Sequence, residues 1–544
     1  MGLKETVEAA SQAIHNDNVA ETIRLSAIAE IEIASEQSGS LRVWASGMLG
    51  GIYVDAGQML RDTEMIAKGA ALLDNYLYTL PEEYRSAHVF YNAANGQLAL
   101  WECNASSSIN DGCINEHFRM AILYFRLAIW KARDDSTIDD NLKTQILINY
   151  ANCLDSIGRC VEAVKYYDQA IEINPSKGEA LGNKGITLHN LAHLAHGYTH
   201  RFLLEAHRLL KKALNVPLSN EMRNSFQKHY DDIQSLISNH GGKIEPEIVD
   251  SNEPKSDFHS FMQTFCYDNH LFLTPATFTG DSQEPVFSDP LFVSYMVVPI
   301  DDTAKFNKYT AFVNEIKHDY IVARYLLIQS IYRSDTVDAI DQGVNLYYSS
   351  DNTLNSSYIH LLKTAMKLVV DIIDKIGYFF YDYCEITSMT PKQVYFRSVF
   401  PKDSTSLELR KELKIQNNIF IFALFSLAVE MRDEKQNDGR TVKGAYSFLY
   451  ERRNALTHRI TTVHDAMPSN VSSSDGIERI LLDDLFDDTL FALQIVRSAL
   501  IYPILFIDTE EKSKSTTGNY LTQKPIPIDE TIRWIPPFGD APAA

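Results

Sequence analysis

Small and large apolar residues recur at helical spacing in the first half of the chain. In three segments a small residue is followed four positions later by a large apolar residue and three positions after that by alanine: Ala121/Phe125/Ala128, Ala163/Tyr167/Ala170 and Ala206/Leu210/Ala213. Successive segments begin 42 and 43 residues apart. Because small residues let neighbouring helices approach closely, this spacing predicts stacked pairs of antiparallel helices.

The middle segment shows this pattern most clearly. Small residues at Ala151 and Ala163 fit two closely packed helices, Tyr167 fills the groove to the next pair, and Pro175 ends the second helix. The segment resembles a tetratricopeptide repeat, and the resemblance extends over roughly residues 20–240. It implies a helical solenoid whose concave surface recognises a peptide or a protein. Generic helical hairpins are the alternative interpretation.

A break in composition separates this region from the rest of the chain. Residues 239–257 contain Gly-Gly, two prolines and scattered charges, and residues 274–290 form a turn-rich stretch. Helical periodicity then predicts five helices: one through Ile316, Tyr320, Ala323 and Leu327, three at 358–383, 417–431 and 443–459, and one through Leu482, Leu493 and Leu500. We therefore expect an all-α chain with a tetratricopeptide-like array at 1–240, a linker and turn-rich connecting segment at 241–300, a helical bundle at 301–510 and a tail at 511–544.

Composition narrows the possible functions and the cellular location. The 50 basic and 71 acidic residues give a net charge of −21, so any contact with nucleic acid must be local. Residues 391–460 are a basic exception, with 13 basic and 8 acidic residues. The six cysteines form no Cys-x-x-Cys pair, and the longest apolar stretch, from Ile419 to Val429, is too short to span a bilayer. We expect a cytoplasmic protein without a membrane segment.

The helix predicted at 443–459 carries a local break in its hydrophobic pattern. Its apolar stripe, followed at 3.6 residues per turn, runs into a set of polar residues: Arg453, Asn454, Thr457 and, at the margin, His458. Burial of these groups without partners would be costly, so we expect them to pair with one another, with a second subunit or with a ligand. The candidate acidic partners of Arg453 are Asp371, Asp374 and Glu430. A break of this kind is where a functional site is expected.

The same residues resemble the motif of a known family. The run Arg453-Asn454-Ala455-Leu456-Thr457-His458 is similar to the Arg-x4–6-His motif of the HEPN superfamily, including the polar residue after the arginine. The spacing alone also arises by chance, as in Arg201/His207, Arg223/His229 and Arg459/His464. Residues 261–275 and 314–327 further resemble the HEPN branch in which helical repeats precede the bundle.

The resemblance implies a metal-independent endoribonuclease that uses no cofactor. In this interpretation His458 exchanges a proton near neutral pH, Arg453 supplies a cation for the phosphate, and Asn454 orients the imidazole or contacts the ribose. Arg453 and His458 lie about 140° apart around an ideal helix, so one helix does not direct both at one phosphate. Two facing copies would do so, and family members are understood to assemble in this way. We therefore expect a homodimer through the bundle.

Two functions of different classes follow from these patterns. The first is a ribonuclease effector, a toxin or an anti-phage defence enzyme, that is regulated by its repeat array and by a peptide or protein trigger bound there. The second is a non-catalytic scaffold whose bundle dimerises or binds nucleotide. A helix face with four histidines is explained more simply by a repeat surface than by a zinc site: His189, His193, His196 and His200.

Overall fold

The structure is a computed structural model of the chain. It describes residues 2–79, 85–104, 114–133, 135–194, 199–239, 254, 256–282, 287–294, 296–347, 351–403, 406–414, 418–435, 441–442, 444–467, 476–514 and 520–524. These residues form twenty α-helices and seven short β-strands, which confirms the predicted all-α fold class. Most of the predicted linker and the last twenty residues of the predicted tail lie outside the described residues.

Eleven helices lie in the described part of the first 239 residues. They are α1 (Leu3–His15), α2 (Val19–Ser35), α3 (Gly39–Leu60), α4 (Thr63–Thr79), α5 (Ala87–Asn104), α6 (Glu116–Arg133), α7 (Asp140–Asp155), α8 (Cys160–Ile173), α9 (Gly178–Leu194), α10 (Thr199–Leu214) and α11 (Asn220–Asn239). Consecutive helices pack in pairs, and α11 packs against α9 and α10. The alanines of the three repeated segments are fully buried, as expected where helices pack closely.

Nine further helices follow in the described residues after 254. They are α12 (Asp257–Asp268), α13 (Ala304–Ile331), α14 (Asp335–Asp341), α15 (Ser357–Tyr383), α16 (Phe396–Val399), α17 (Lys411–Lys414), α18 (Ile419–Glu430), α19 (Ser447–His458) and α20 (Leu482–Ser513). Helices α13, α15 and α20 pack against one another, α18 packs on α20, and α19 packs on α15. The five helices predicted from periodicity are all present, with boundaries within a few residues of the prediction.

Helix α20 runs through the core of the bundle. Among the described helices it is the one that is long and apolar enough to cross a membrane by length and composition, yet 83% of its most apolar window is buried inside the protein. This burial is typical of the core helix of a globular bundle. Helix α18 is also surrounded by protein, since all of its residues from Phe420 to Glu430 are buried.

Short strands connect parts of the chain that are distant in sequence. Strand β1 (Met296–Pro299) pairs antiparallel with β7 (Tyr520–Gln523), which joins the connecting segment to the tail. In a second sheet, β5 (Ile460–His464) lies between β2 (Thr353–Leu354), which is antiparallel to it, and β6 (Ile477–Leu481), which is parallel to it. Strands β3 (Glu434–Lys435) and β4 (Thr441–Val442) form a small antiparallel pair. The second sheet therefore begins directly after α19.

The array and the bundle share one hydrophobic core. A single cluster of buried side chains extends from Val54 in α3 to Ile507 in α20, while a smaller cluster joins α1, α2 and α3. The main cluster includes α8 and α9 of the array, both of which contact α20. The two regions are therefore packed together and are not held only by the chain that connects them.

A buried network of charges also crosses between the array and the bundle. Arg126 on α6 and Arg159 at the start of α8 both form ion pairs with Glu430 at the end of α18. Arg159 is fully buried and also donates to Glu162 of α8, with its Nε and Nη2 atoms 3.0 and 2.9 Å from Oε1. Two arginines thus face two carboxylates, one of which belongs to the bundle.

Two tyrosines extend this network into the bundle. The hydroxyl of Tyr446, just before α19, accepts hydrogen bonds from Arg126 and from Arg159, the latter at 3.1 Å. The hydroxyl of Tyr502 in α20 donates to Glu162. Burial acts to raise the pKa of Glu430, but the two arginines outweigh it and hold that pKa below its usual value. Glu430 is therefore ionised at neutral pH.

Replacing Glu430 tests this arrangement. Glu430→Gln leaves two buried guanidinium groups without their shared carboxylate, and we expect the free energy of unfolding to fall by about 3–5 kcal/mol. Glu408→Gln is the matched control, because it removes a carboxylate from an exposed pair with Lys402 and should cost less than about 1 kcal/mol. Urea denaturation of the full-length protein, followed by circular dichroism, measures both. Equal effects of the two substitutions would contradict the network's role.

Candidate active site

Helix α19, which carries the predicted motif, is fixed at its N-terminal end. Gly444 lies in the tight turn before it, where an added Cβ atom would come within 2.4 Å of the carbonyl oxygens of Glu430 and Arg432. The amide of Tyr446 donates to the carbonyl of Glu430 at 2.8 Å. The start of the motif helix is therefore attached to the same residue that anchors the buried charge network.

Arg453 forms an ion pair with Asp371 of α15. Its Nε and Nη2 atoms donate to Oδ1 of Asp371 at 3.0 and 2.8 Å, and its Nη1 atom donates to Oδ1 of Asn454 at 3.2 Å. The side chains of Arg453 and Asp371 are 30% and 46% exposed. The guanidinium is thus held in one direction by two neighbours while it remains accessible to solvent.

His458 is the last residue of α19 and is exposed. Arg459 after it is extended and leads into β5. Within the part of the chain that the structure describes, the His458 ring has no hydrogen-bond partner. A ligand or a second subunit can therefore approach this imidazole without displacing an existing contact.

The expectation that the polar residues lie on the packed face of α19 was wrong. Asn454, Thr457 and His458 are exposed, and Arg453 is half-buried. The buried side of the helix instead continues from Tyr450 to Ala455, so the polar residues follow the edge of the bundle. These side chains are solvated or paired within the chain, so the cost of burying polar groups does not require a second subunit or a ligand here.

Helices α15 and α19 run antiparallel, and their contacts define a register. Tyr450 lies opposite Asp374, with a hydrogen bond of 2.9 Å from its hydroxyl to Oδ1, and Arg453 lies opposite Asp371 one turn further. Just beyond α19, the carbonyl of Thr461 accepts a hydrogen bond of 2.8 Å from Lys363. The same face of α15 therefore follows α19 along its length to the start of β5.

Sequence left three possible acidic partners for Arg453, and the structure separates them. Asp371 forms the ion pair, while Glu430 is used by the buried network. Asp374 accepts hydrogen bonds from Tyr450 and from the amide of Phe396 at 3.1 Å. Burial raises the pKa of Asp374 above its usual value, against the opposing effect of these two hydrogen bonds. The two aspartates of α15, both half-buried, thus have different roles: Asp371 pairs with Arg453, whereas Asp374 connects Tyr450 to the amide of Phe396.

Comparison with known proteins identifies a family that the region around this site resembles. Residues 300–510 match the family model described as LA2681-like HEPN. The match extends from just before α13 to residue 510 in the last turn of α20 and therefore includes both Arg453 and His458, which confirms the resemblance seen in the sequence. No curated protein matches the chain. A solved structure described as "YrrB: a TPR protein with an unusual peptide-binding site" covers 41% of this chain and 90% of its own, at 16% identity and a TM-score of 0.26.

The arginines beside the motif of the HEPN-like bundle are also paired. Arg452 donates to Asp488 of α20 at 3.0 and 2.7 Å, and Arg459 donates to Glu478 of β6 at 3.1 Å. These pairs were missed from the sequence, since their acidic partners lie in later elements and carry no local signal. Near the motif, most of the arginine charge is therefore already neutralised within the protein.

The predicted histidine face is divided between different contacts. His189 is buried in α9, and its ring lies 3.3 Å from the ring nitrogen of His193 and 2.9 Å from that of His229 in α11. Burial, with contributions from His193 and His229, lowers the pKa of His189 to about 4. His196 lies outside the described residues, and His200 lies in the first turn of a different helix, α10. Among the described residues, no group of three potential ligands has a geometry that would hold a metal ion.

The exposure of the Arg453–Asp371 pair leads to a prediction about stability. Exposed ion pairs contribute little, so Arg453→Ala should change the free energy of unfolding by less than about 1 kcal/mol. Arg159→Ala is the contrasting control, because it removes a fully buried arginine together with its ion pairs to Glu162 and Glu430, with an expected cost of about 3–5 kcal/mol. Urea denaturation of the two variants measures the difference. A large loss of stability in Arg453→Ala would mean that this arginine has a structural role.

Proposed function

We propose that the protein is a metal-independent endoribonuclease whose active residues are Arg453, His458 and Asn454. The supporting observation is that these three side chains lie accessible on the last two turns of α19, within the segment that matches LA2681-like HEPN domains. A functional site needs polar groups that are oriented by the protein but open to substrate. Arg453 meets both requirements through its contacts with Asp371 and Asn454.

The proposed reaction is cleavage of RNA by its own 2′-hydroxyl. The 2′-oxygen attacks the adjacent phosphorus, a 2′-O–P bond forms, and the P–O5′ bond breaks to leave a 2′,3′-cyclic phosphate and a 5′-hydroxyl. His458 either takes the proton of the 2′-hydroxyl or gives one to the leaving 5′-oxygen. Arg453 stabilises the negative charge that develops on the phosphate oxygens. Asn454 fixes the guanidinium through the hydrogen bond from Nη1.

We further propose that two chains complete the active site. Arg453 and His458 diverge around the helix axis by about 140°, so the second proton-transferring group would come from a facing copy. Ile460 of β5 and Ile477 of β6 are paired directly after the motif and are 68% and 36% exposed. Exposed apolar residues beside polar ones are typical of a protein–protein interface. They support dimerisation through this edge of the bundle.

In this proposal the protein acts as a toxin or defence effector that its repeat array restrains. The contact between the array and Tyr446 supplies a physical route to the motif helix. Because the array and the bundle share a core, deleting residues 1–240 would expose apolar surface of the bundle. Point substitutions in the full-length chain are therefore the appropriate tests.

A non-catalytic scaffold is the second candidate, and one observation favours it. Arg453 is paired with Asp371 within the chain, as a purely structural arginine would be. In that case the bundle would dimerise or bind nucleotide without cutting RNA. RNA cleavage distinguishes the two functions. A ribonuclease cuts RNA as the wild type and leaves it intact when the motif is substituted, whereas a scaffold cuts no RNA in either form.

Substitution of the motif tests catalysis directly. Arg453→Ala and His458→Ala should each abolish cleavage of total cellular RNA and any growth inhibition, while helical content stays unchanged. Arg459→Gln is the neighbouring control, since it lies just outside the motif and pairs with Glu478; it should cleave as the wild type does. EDTA should not alter cleavage, because arginine and histidine supply the charge and the proton transfer. Cleavage that survives in the motif variants, or stops with EDTA, would locate the chemistry elsewhere.

Light scattering of the full-length protein tests the dimer. We expect twice the chain mass of 61.6 kDa, and a shift to the monomer in Ile460→Asp, because a charge at the interface would be desolvated. Ile31→Asp is the matched control, since Ile31 is 73% exposed on α2 of the array and should leave the mass unchanged. A monomeric wild type at micromolar concentration would contradict the shared site.

A further inference from the structure

The candidate site needs positive charge that the motif itself does not provide. A polyanion is attracted by cations that are not already neutralised, and Arg453 and its two arginine neighbours are all paired with carboxylates. Lys367 on α15 and Arg397 on α16 differ from them, because neither forms an ion pair with any described residue. We therefore consider where these two cations lie relative to the motif.

The register between α15 and α19 places Lys367 beside the end of the motif. Tyr450 lies opposite Asp374, and Arg453 lies opposite Asp371. Continued by one further turn, the same antiparallel register sets Lys367 opposite Thr457, the residue before His458. Lys367 is thus adjacent to the C-terminal end of the motif, on the face of α15 that follows α19.

Neighbouring groups show that positive charge accumulates around Lys367. Burial lowers the pKa of Lys363, and the charge of Lys367 lowers it further. The pKa of His360, one turn earlier on the same face, is lowered by burial and then by Lys363 and Lys367, with Asp341 acting in the opposite direction. Lys363 itself donates to the carbonyl of Thr461. A bound anion would relieve the repulsion among these groups.

Arg397 lies at the other side of the Arg453–Asp371 pair. Its guanidinium is exposed and lies over the ring of Tyr450, 4.9 Å from the centroid, which fixes its position. It lines a groove of about 420 Å³ that also reaches the motif. The other polar residues that line the groove are Ser398, Arg432, Asp433, Ser447, Tyr450, Glu451 and Asn454. Tyr450 and Thr457 are seven residues apart, so the two cations are separated by roughly 10 Å along α19.

We propose that Lys367 and Arg397 bind the phosphate backbone of one RNA strand, on opposite sides of the Arg453–Asp371 pair. The strand would run along the cleft that α15 and α16 form with α19, so that the phosphate between the two contacts lies at Arg453. This inference rests on the proposed ribonuclease function and extends it to the residues that hold the substrate. We call Lys367, Arg397 and the cleft between them the phosphate track. Since phosphate contacts carry no base information, the phosphate track accepts single-stranded RNA without a strong sequence preference.

Salt-dependent binding tests the track separately from catalysis. The probe is a fluorescent single-stranded RNA of about 20 nucleotides with 2′-O-methyl riboses, which has no attacking hydroxyl. Its affinity for the full-length protein is measured by anisotropy between 50 and 200 mM salt. Each phosphate contact on a single strand contributes about 0.7 to the slope of log affinity against log salt. Lys367→Gln and Arg397→Gln should each reduce the slope by about that amount, and the double variant by about twice as much.

Three controls make the result specific. Lys308→Gln removes the same charge from α13, where Lys308 pairs with Asp382 near the far end of α15, and should leave the slope unchanged. Lys367→Arg and Arg397→Lys keep the charge and should retain the slope. An unchanged slope in Lys367→Gln or Arg397→Gln, an equal loss in Lys308→Gln, or no binding of the probe by the wild type would each overturn the track.

The failure of the track and the failure of the nuclease are distinguishable. If the wild type cuts unmodified RNA while the slopes do not change, the nuclease stands and the track is wrong. If the slopes fall as expected while unmodified RNA remains intact, the track stands and the protein is an RNA-binding scaffold. In the nuclease, both glutamine variants should also raise KM at physiological salt about fivefold or more, with kcat changed less than KM.

Discussion

The shared carboxylate of Glu430 is the contact on which the arrangement of the protein depends. Arg126, Arg159 and Glu162 would leave a net positive charge on the buried face of the array, and Glu430 of the bundle balances it. Removing an ion from water costs several kcal/mol, so buried charges are tolerated only where each has its partner. The apolar core that joins the two regions supplies most of the attraction, whereas the charges favour the one orientation in which both guanidinium groups reach Glu430.

This contact also defines what regulation by the array would involve. The side chain of Glu430 forms an ion pair with Arg159 of the array, and its backbone carbonyl accepts a hydrogen bond from the amide of Tyr446, directly before the motif helix. A trigger bound to the array would therefore not release a loosely tethered domain. Under the proposed function, it would shift a packed contact and with it the start of α19, which is the kind of small displacement that packed interfaces convert into two distinct states.

The sequence predicted the elements of the fold well and their partners poorly, for a physical reason. The helix around Tyr320 and the buried alanines of the array follow from local periodicity, which is set by neighbours three and four residues away. The partner of Arg453 was left among three acidic residues, because the choice depends on how α15 and α18 pack. The partners of Glu430 lie hundreds of residues earlier, and no local pattern marks them. The exposure of Thr457 was missed for the same reason, since α19 packs on α15 along one side only.

The pairing of Arg453 with Asp371 is compatible with a role in binding phosphate, provided that other cations bring the substrate to it. The chain has a net charge of −21, so at long range it repels RNA, but screening reduces this repulsion beyond roughly 8 Å at physiological salt. Within that distance the local charges decide, and beside the motif the cations without a described ion pair are Lys363, Lys367 and Arg397. A phosphate drawn into this region can share the guanidinium of Arg453 with Asp371, because that group has five N–H donors and only part of them is used. The carboxylate then acts as the group that orients the arginine, and the neutral pair avoids the cost of holding an unpaired cation before the substrate arrives.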